Sequence, residues 1–464
     1  MNIIIIGAGP AGYVAAIRAA QLGMQVTLIE KRKTLGGTCL NVGCIPSKAL
    51  LDSSEHYHQA KKKFGRHGIQ VGDLTLDFTA MMARKTGVVD ATISGIDYLM
   101  KKWNIKTVYG TGKLTGPTTV AVSGDKDDDT TILTADAILI ATGSEPIALP
   151  TVPFDGTRVI SSTEALSLPE LPKTLVVIGG GVIGVELASV YARLGTQVRI
   201  IEYADRLIAG LDKDLSIGLQ KSLKKLGIQM QFKTAVTGCS VSNNSVIVQT
   251  ESESFEGDHA LVCIGRKPYT ADLGLETVGI PVDSRGRITV NQQYQTPVPS
   301  IYAIGDVISG DAWGHKAYML AHQASEEGVA CVEMLAGQSP HVNYHAIPNV
   351  VYTWPEVASV GFKESEITRP YKTGTFPFKA SGRARAADEL DGFIKVLSDK
   401  ETDEILGIHM IGPRVADLIH SAVTALEYKA SAEDIARLCA PHPTFSEALK
   451  EACLDATDAR PLHY

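Results

Sequence analysis

Two cysteines, Cys39 and Cys44, stand five positions apart in the stretch GGTCLNVGCIPSK at residues 36 to 48, with Gly43 between them to permit a tight turn. The spacing misses the two-residue gap of zinc knuckles. No second cysteine or histidine pair follows at metal-ligand distance, so no metal site is expected. Two readings remain: a pair of inert thiols, or a redox couple that opens and closes a disulfide. Pro46 and the SKALL run that follows it predict a helix beginning just after Cys44. Its positive N-terminal end, with Lys48 nearby, favours a thiolate.

The elements able to hold such a pair are written twice. Residues 2 to 30, NIIIIGAGPAGYVAAIRAAQLGMQVTLIE, align without a gap on residues 174 to 202, TLVVIGGGVIGVELASVYARLGTQVRIIE. Each copy reads as an apolar strand, a G-x-G-x-x-G turn, a helix with small residues on one face, a second strand and a terminal glutamate. Gly7 and Gly179 are expected to make the turn, Gly9 and Gly181 to let the backbone approach a pyrophosphate, and Gly12 and Gly184 to let the helix pack closely. Phosphates belong at the helix N-termini. Glu30 and Glu202, each 18 residues beyond the last glycine, are set to accept hydrogen bonds from ribose hydroxyls. One glycine motif alone is weak evidence, because such turns also serve packing; two full copies predict two dinucleotide sites. Two sites in one chain point to a permanently held flavin, an exchanging nicotinamide nucleotide and an oxidoreductase.

Between the copies, AILIATGSEP at 137 to 146 reads as a strand returning to the first, and HALVCIGRKP at 259 to 268 as its counterpart in the second. Asp306 ends the apolar strand of SIYAIGDVISG, ahead of a helix-like stretch that begins at Ala317. After two nucleotide folds, its carboxylate is expected to bind a sugar-like hydroxyl rather than only cap a turn.

At 464 residues the chain calls for three or four domains of about 100–200 residues each. Hydrophobic residues at 44% and charged residues at 20% describe a globular scaffold with a large core. A net charge of -7, with basic residues scattered apart from KKK at 61 to 63, argues against nucleic acid as a partner. The lysine run and the acidic DKDDD at 125 to 129 read as a solvated helix end and a loop. The apolar start lacks a basic n-region and breaks at glycine, and no apolar run reaches the roughly 18 residues of a membrane span, so a cytoplasmic protein is expected. Seven dispersed cysteines do not form an extracellular disulfide framework.

Taken in order, GAGPAG at 7 to 12, the cysteine stretch, ATGS at 141 to 144, GGGVIGVE at 179 to 186, GRKP at 265 to 268, YAIGD at 302 to 306, MLAHQASEEG at 319 to 328 and HPTFSEA at 442 to 448 carry a family likeness. Through them the chain resembles the flavin disulfide reductases over nearly its whole length. The resemblance implies an α/β fold with two Rossmann-like dinucleotide-binding domains, for FAD and NAD, plus a central domain and a C-terminal α+β dimerisation domain. Its borders are an FAD domain with the redox disulfide over 1–144, an NAD domain over 145–268, a central domain completing the FAD site over 269–341, and an interface domain over 342–464.

The resemblance also implies roles. Cys39 and Cys44 become the redox-active disulfide, with Cys39 the interchange thiol and Cys44 the one facing the flavin; Cys239, Cys263, Cys331, Cys439 and Cys453 are left as buried thiols. Lys48 is expected near the flavin, paired with Glu186. Gly143, Asp306 and Ala317 join the FAD contacts, and Gly265 the cofactor contacts. His442 and Glu447 match the family's base dyad, in which a carboxylate keeps the imidazole tautomer and raises its basicity. Many members carry another histidine two places before the base, where this chain has Ala440. A local change in hydrogen bonding is expected there, without loss of the reaction.

Within the family, NADPH-linked glutathione reductases carry arginines just past the second glycine-loop strand. Here RIIEYADRL has Glu202 at that point with Arg206 as weak compensation, which favours NAD. The single Cys453 does not supply the C-terminal cysteine pair of mercuric reductases. The branch implied is the one that oxidises dihydrolipoyl groups: a homodimer serving the acyltransferase core of a 2-oxoacid dehydrogenase complex. No lipoyl-like domain precedes residue 2, so the carrier is expected on another chain. A binding subunit that kept only the fold is disfavoured by intact Cys39, Cys44, His442 and Glu447.

Overall fold

The computed structural model describes residues 1–124, 130–242, 244–310, 313–314 and 317–464; the acidic run at 125–129 lies outside them. The chain divides into two compact units. The first is built from Met1–Ala49, Thr79–Ile147 and Gly265–Tyr344, the second from Leu50–Phe78, Ala148–Ile264 and His345–Tyr464.

The first unit is organised on a five-stranded parallel sheet with strand order Ile301–Ala303, Ala137–Ile140, Asn2–Ile6, Gln25–Glu30, Lys106–Tyr109. Its central strand is the run of four isoleucines, Ile3 to Ile6, all at most 4% exposed. Burying each contributes about 1.5–3 kcal/mol, and a strand covered on both faces has no use for alternation. The helix Pro10–Gln21 lays Ala15, Ala16 and Ala19 into this core, where all three are fully buried. It packs against the helix Ala321–Leu335 so closely that a Cβ on Gly328 would stand 2.7 Å from the Ala11 carbonyl oxygen. This helix begins four residues later than the stretch from Ala317 suggests, because Met319 takes a left-handed φ of +54°. Residues 269–341 are not set apart from the first nucleotide fold: the strand Ile301–Ala303 extends its sheet by pairing with Ala137–Ile140.

The second unit holds a parallel sheet of the same design, with order Gln229–Gln231, Gln197–Ile201, Thr174–Ile178, His259–Val262, Val159–Ile160. The internal repeat survives as register. Asn2 pairs with Gln25 and Ile6 with Ile29; Thr174 pairs with Gln197 and Ile178 with Ile201. The same unit contains a five-stranded antiparallel sheet, ordered Asn349–Val351, Glu356–Gly361, Ile405–Gly412, Phe393–Asp399, Tyr371–Pro377. The helix Glu447–Asp458 lies on its last strand, and a Cβ on Gly374 would meet the Ala452 carbonyl oxygen at 2.1 Å. Lys61 and Lys62 close the helix Cys44–Lys62 and are exposed, as a solvated helix end should be. Among the described residues no helix is long and apolar enough to cross a membrane.

Candidate active site

The two glycine loops are near-copies in space. Gly7 and Gly179 have φ of +104° and +108°, and each donates its N–H at 2.8 Å, to Ile29 O and Ile201 O respectively. A side chain on either is barred, since a Cβ would lie 2.4 Å from Ala141 O and 2.3 Å from Cys263 O. At Gly12 and Gly184 a Cβ would lie 1.8 Å and 2.2 Å from the carbonyl oxygens of Gly7 and Gly179, so helix and strand meet backbone to backbone. Gly9 and Gly181 stand at the helix N-caps with φ, ψ of -72°, -177° and -73°, -179°, and no side chain caps either helix. The space beside them is clear: a Cβ on Gly181 meets nothing within 4 Å, and one on Gly9 only Gly37 Cα at 3.9 Å. Uncapped N–H groups at a helix start with open space in front fit a pyrophosphate.

The two acidic residues are held alike. Glu30 accepts from Ala8 N and Arg32 N, both at 2.8 Å; Glu202 accepts from Gly180 N at 2.5 Å and Ala204 N at 2.6 Å. Each carboxylate is aimed by two backbone donors and keeps lone pairs for ribose hydroxyls. Arg206 is already engaged by Asp205 at 3.0 Å and the Ala209 carbonyl at 3.2 Å, which limits its reach toward a 2′-phosphate.

The cysteine segment packs on the first glycine loop. Gly36 N donates to Ala8 O at 2.8 Å, and a Cβ on Gly37 would meet Gly9 Cα at 2.5 Å. Cys39 lies in the short helix Gly37–Val42 and Cys44 opens the helix Cys44–Lys62, with Gly43 accepting Ser47 N at 3.0 Å as its N-cap. A Cβ on Gly43 would stand 3.3 Å from Cys39 Cα, so only glycine brings the two thiols together. Both are half-buried and unbonded covalently. A hydrogen bond with Cys44, then burial and the charge of Cys44, push the Cys39 thiol far up; the Cys44 backbone N–H and Lys48 pull weakly the other way. Cys39 thus holds its proton while Cys44 occupies the positive end of a helix. Tyr13, the residue after the first glycine motif, lies within the field of both, its phenol pushed up by burial and then by the two cysteines.

Three motifs meet in one network, in which Asp306 is joined by Ser144 and Arg266, residues whose types alone give no sign of it. Arg266 of GRKP donates to Ser144 of ATGS, through Nε to Oγ at 2.7 Å and Nη2 to O at 2.6 Å; Ser144 Oγ in turn donates to Asp306 Oδ2 at 2.5 Å. Burial pushes the Asp306 carboxyl up against the pull of Ser144 and Arg266. Fully buried Glu327 accepts from Gly305 N at 2.7 Å and Tyr344 OH at 3.2 Å, steadying the turn that carries Asp306. The only sequence signal for these residues is their membership of the motifs. Gly143 and Gly265 flank the network with φ of +72° and +129°, and Ala317 lies in the irregular segment before the helix Ala321–Leu335.

In the second unit, His442 Nδ1 meets Glu447 Oε1 at 2.8 Å, and Glu447 Oε2 accepts Thr444 N at 2.8 Å. The imidazole is 77% exposed, with Nδ1 turned to Glu447. Partial burial pushes the Glu447 carboxyl up, but the His442 hydrogen bond, the Thr444 N–H and the charges of His442 and His463 hold it below the usual carboxylate range. A depressed carboxylate contributes stability above its unfolded value, about 4.3, and loses it as pH falls through the folded one. The stability gap between the native chain and Glu447→Gln is therefore expected to be widest near neutrality and to close below about pH 4, as read from urea midpoints across pH. Glu186, 3% exposed on the helix Val182–Leu194, accepts Tyr352 N at 2.9 Å; Lys48 lies one turn past Cys44 in the first unit.

Of the five remaining cysteines, Cys331 and Cys453 are buried as expected. Cys239 and Cys263 are only half-buried, and Cys439 is exposed. Cys439 departs because it lies in the surface segment leading to His442, outside any sheet or helix.

A thiol pair set on one of two dinucleotide loops defines a disulfide oxidoreductase driven by a pyridine nucleotide. The chain belongs to the pyridine nucleotide-disulphide oxidoreductase family: the family model matches residues 1–328, and its dimerisation domain matches 347–453. Along its whole length it is 47% identical to the mitochondrial dihydrolipoyl dehydrogenase of Pisum sativum, covering 92% of that protein, and 48% identical to the mitochondrial dihydrolipoyl dehydrogenase 1 of Arabidopsis thaliana, covering 91%. The crystal structure of LpdA from Mycobacterium tuberculosis superposes with a TM-score of 0.90 at 26% identity, over 98% of this chain and 99% of that one. The expected cytoplasmic location is corrected by these relatives, since the pea and Arabidopsis proteins are named mitochondrial. Compartment is set by address segments that receptors read, apart from the packed domains, so the folded core carries no mark of it.

Proposed function

We propose that this chain is a dihydrolipoyl dehydrogenase, oxidising protein-bound dihydrolipoamide to lipoamide while NAD becomes NADH and one proton is released. The observation that carries the reading is the Cys39–Cys44 pair packed against the first glycine loop, in a chain 47–48% identical over its full length to enzymes of that name. The cofactors are FAD and NAD, and they supply the electron transfer between a two-electron thiol couple and a nicotinamide hydride acceptor. Gly7, Gly9, Gly12, Glu30 and the Ser144–Asp306–Arg266 network would hold FAD. Gly179, Gly181, Gly184 and Glu202 would hold NAD.

The protein's own part is proton and thiol chemistry. His442, set by Glu447, removes a proton from a substrate thiol. The substrate thiolate attacks Cys39 of the disulfide, and Cys44 leaves as a thiolate stabilised by its helix end. The second substrate thiol then displaces Cys39, which takes the proton held by His442 and departs as the thiol, while the second substrate proton passes to His442; the products are the substrate disulfide, the Cys39 thiol, the Cys44 thiolate and one proton on the base. A base is needed because the attacking species is the substrate thiolate, and an ordinary thiol is mostly protonated near neutrality. The matched dimerisation domain supports a homodimer. The lipoyl carriers of 2-oxoacid dehydrogenase complexes are the partners we infer, and 1–144, 145–268, 269–341 and 342–464 remain our division of the chain by role.

Steady-state rates with dihydrolipoamide, reduced glutathione and mercuric ion, each with NAD and NADP forms, test the assignment. Turnover is expected with dihydrolipoamide and NAD; a preference for either other substrate overturns it. Nucleotide choice is expected to rest on Glu202. In Glu202→Ala the NAD preference over NADP should shrink by about 1–3 kcal/mol, the cost of a lost charge-assisted hydrogen bond. An unchanged ratio of kcat/KM values removes this role.

A further inference from the structure

The segment after Glu202 closes on Gly180, the middle of the second glycine loop, from several directions. Glu202 accepts from Gly180 N at 2.5 Å, and Ile208 N donates to Gly180 O at 2.8 Å. Leu207 is fully buried against the same residue: a Cβ on Gly180 would stand 2.7 Å from Leu207 Cδ2. The arrangement is strained at Ile208, whose φ of +41° is an outlier for a β-branched side chain. Such a residue persists only where its surroundings over-determine it.

The anchor lies four residues on. Leu211 N donates to Ile208 O at 2.8 Å, and Asp212, 3% exposed, caps the helix Lys213–Lys225 by accepting Asp214 N at 3.0 Å. Lys395, 3% exposed on the strand Phe393–Asp399, donates to Asp212 Oδ1 and Asp214 Oδ2 at 2.7 Å each and to Glu364 Oε2 at 3.2 Å. An ammonium has three donors, and all three are committed here. The path therefore runs from Lys395 by hydrogen bond to Asp212, along the chain to Leu211, and by hydrogen bonds from Leu211 to Ile208 and from Ile208 to Gly180.

We propose that Lys395 is a positioning residue for the nicotinamide nucleotide: by pinning Asp212 it holds residues 203–211 against Gly180 and keeps Glu202 aimed at the ribose. This rests on the reading of the second glycine loop as the NAD site. It also makes a strand from the region matched by the dimerisation domain part of that site's support. A cluster that served stability alone would lower the melting temperature and leave nucleotide affinity untouched.

The test uses the FAD-loaded dimer carrying Lys395→Gln, Glu364→Gln or Glu202→Ala. In Lys395→Gln the Kd for NADH and the KM for NAD are expected to rise about five- to tenfold, within the range of coupling between linked sites. Anaerobic reduction of the enzyme by dihydrolipoamide alone, which needs no nucleotide, is expected to be unchanged. Glu364 is 42% exposed, so Glu364→Gln removes one acceptor charge without stranding a buried ion and should shift Kd the same way by less; it decides the matter if Lys395→Gln does not fold. An unchanged Kd in the lysine variant, or in Glu364→Gln where only that variant folds, beside weakened binding in Glu202→Ala overturns the proposal and leaves the site reading intact. An unchanged Kd in all of them overturns the site reading as well. Loss of the dihydrolipoamide half-reaction in step with nucleotide binding marks a structural role only and also overturns the proposal.

Discussion

Cys39→Ser and Cys44→Ser are both expected to lose dihydrolipoamide-dependent NAD reduction, by about 10⁴- to 10⁶-fold, the scale on which removal of a covalent nucleophile is felt. Each supplies one sulfur of the disulfide, so neither variant can form the mixed disulfide and resolve it. NADH-driven reduction of an artificial dye needs no thiol pair and should survive in both, which separates loss of the couple from loss of the flavin. Their visible spectra should differ. In Cys39→Ser the remaining sulfur sits at the start of the helix Cys44–Lys62, where a thiolate is favoured, and a long-wavelength absorbance against oxidised flavin is expected without substrate. In Cys44→Ser the remaining sulfur is Cys39, away from that helix end, and the band should be missing. Identical spectra from the two would mean that the thiols are assigned the wrong way round or do not lie beside the flavin.

His442→Ala is expected to lower kcat by about 10²- to 10⁴-fold, the usual contribution of a positioned general base. Because His442 stands exposed in its own chain, we expect it to work on the thiols of the partner subunit. Mixing Cys39→Ser chains with His442→Ala chains tests this directly. Each homodimer lacks one element in both sites, whereas a heterodimer that shares its sites brings one intact Cys39 together with one intact His442. Random pairing makes half the dimers mixed, each with one of two sites complete, so up to roughly a quarter of wild-type activity should return. Activity no higher than the sum of the separate variants, after confirmed subunit exchange, would place the base with its own chain.

Much of this site was legible because its parts are local. The glycine motifs act over a few residues, and the parallel register they imply, Asn2 to Gln25 and Thr174 to Gln197, follows from helix and strand lengths. Cys39 and Cys44 are close because Gly43 admits no side chain, and His442 reaches Glu447 across one tight segment. That hydrogen bond forms in a chain with Ala440 two places before His442. Arg266, Ser144 and Glu327 were not legible: they meet their partners across separations of 122, 162 and 22 residues, and nothing in an arginine, a serine or a helical glutamate announces a distant partner. Nor could apolar character alone place the stretch from Ala317, since Met319 turns left-handed before the helix starts.

By itself, the sequence determined what depends on short-range sterics and periodicity: two glycine-loop nucleotide folds, a thiol pair at the head of a helix, an imidazole beside a carboxylate, and a carboxylate at the end of each second strand. Only the tertiary structure decided what depends on segments distant along the chain. It seated the cysteine turn on the first glycine loop through Gly36 and Gly37, and joined Ser144, Arg266 and Asp306 into one buried network. It also brought Lys395 beneath Asp212, 183 residues away. The physical reason is that a buried charge must find its opposite wherever packing brings one, and packing is a property of the whole fold, not of any window along the chain.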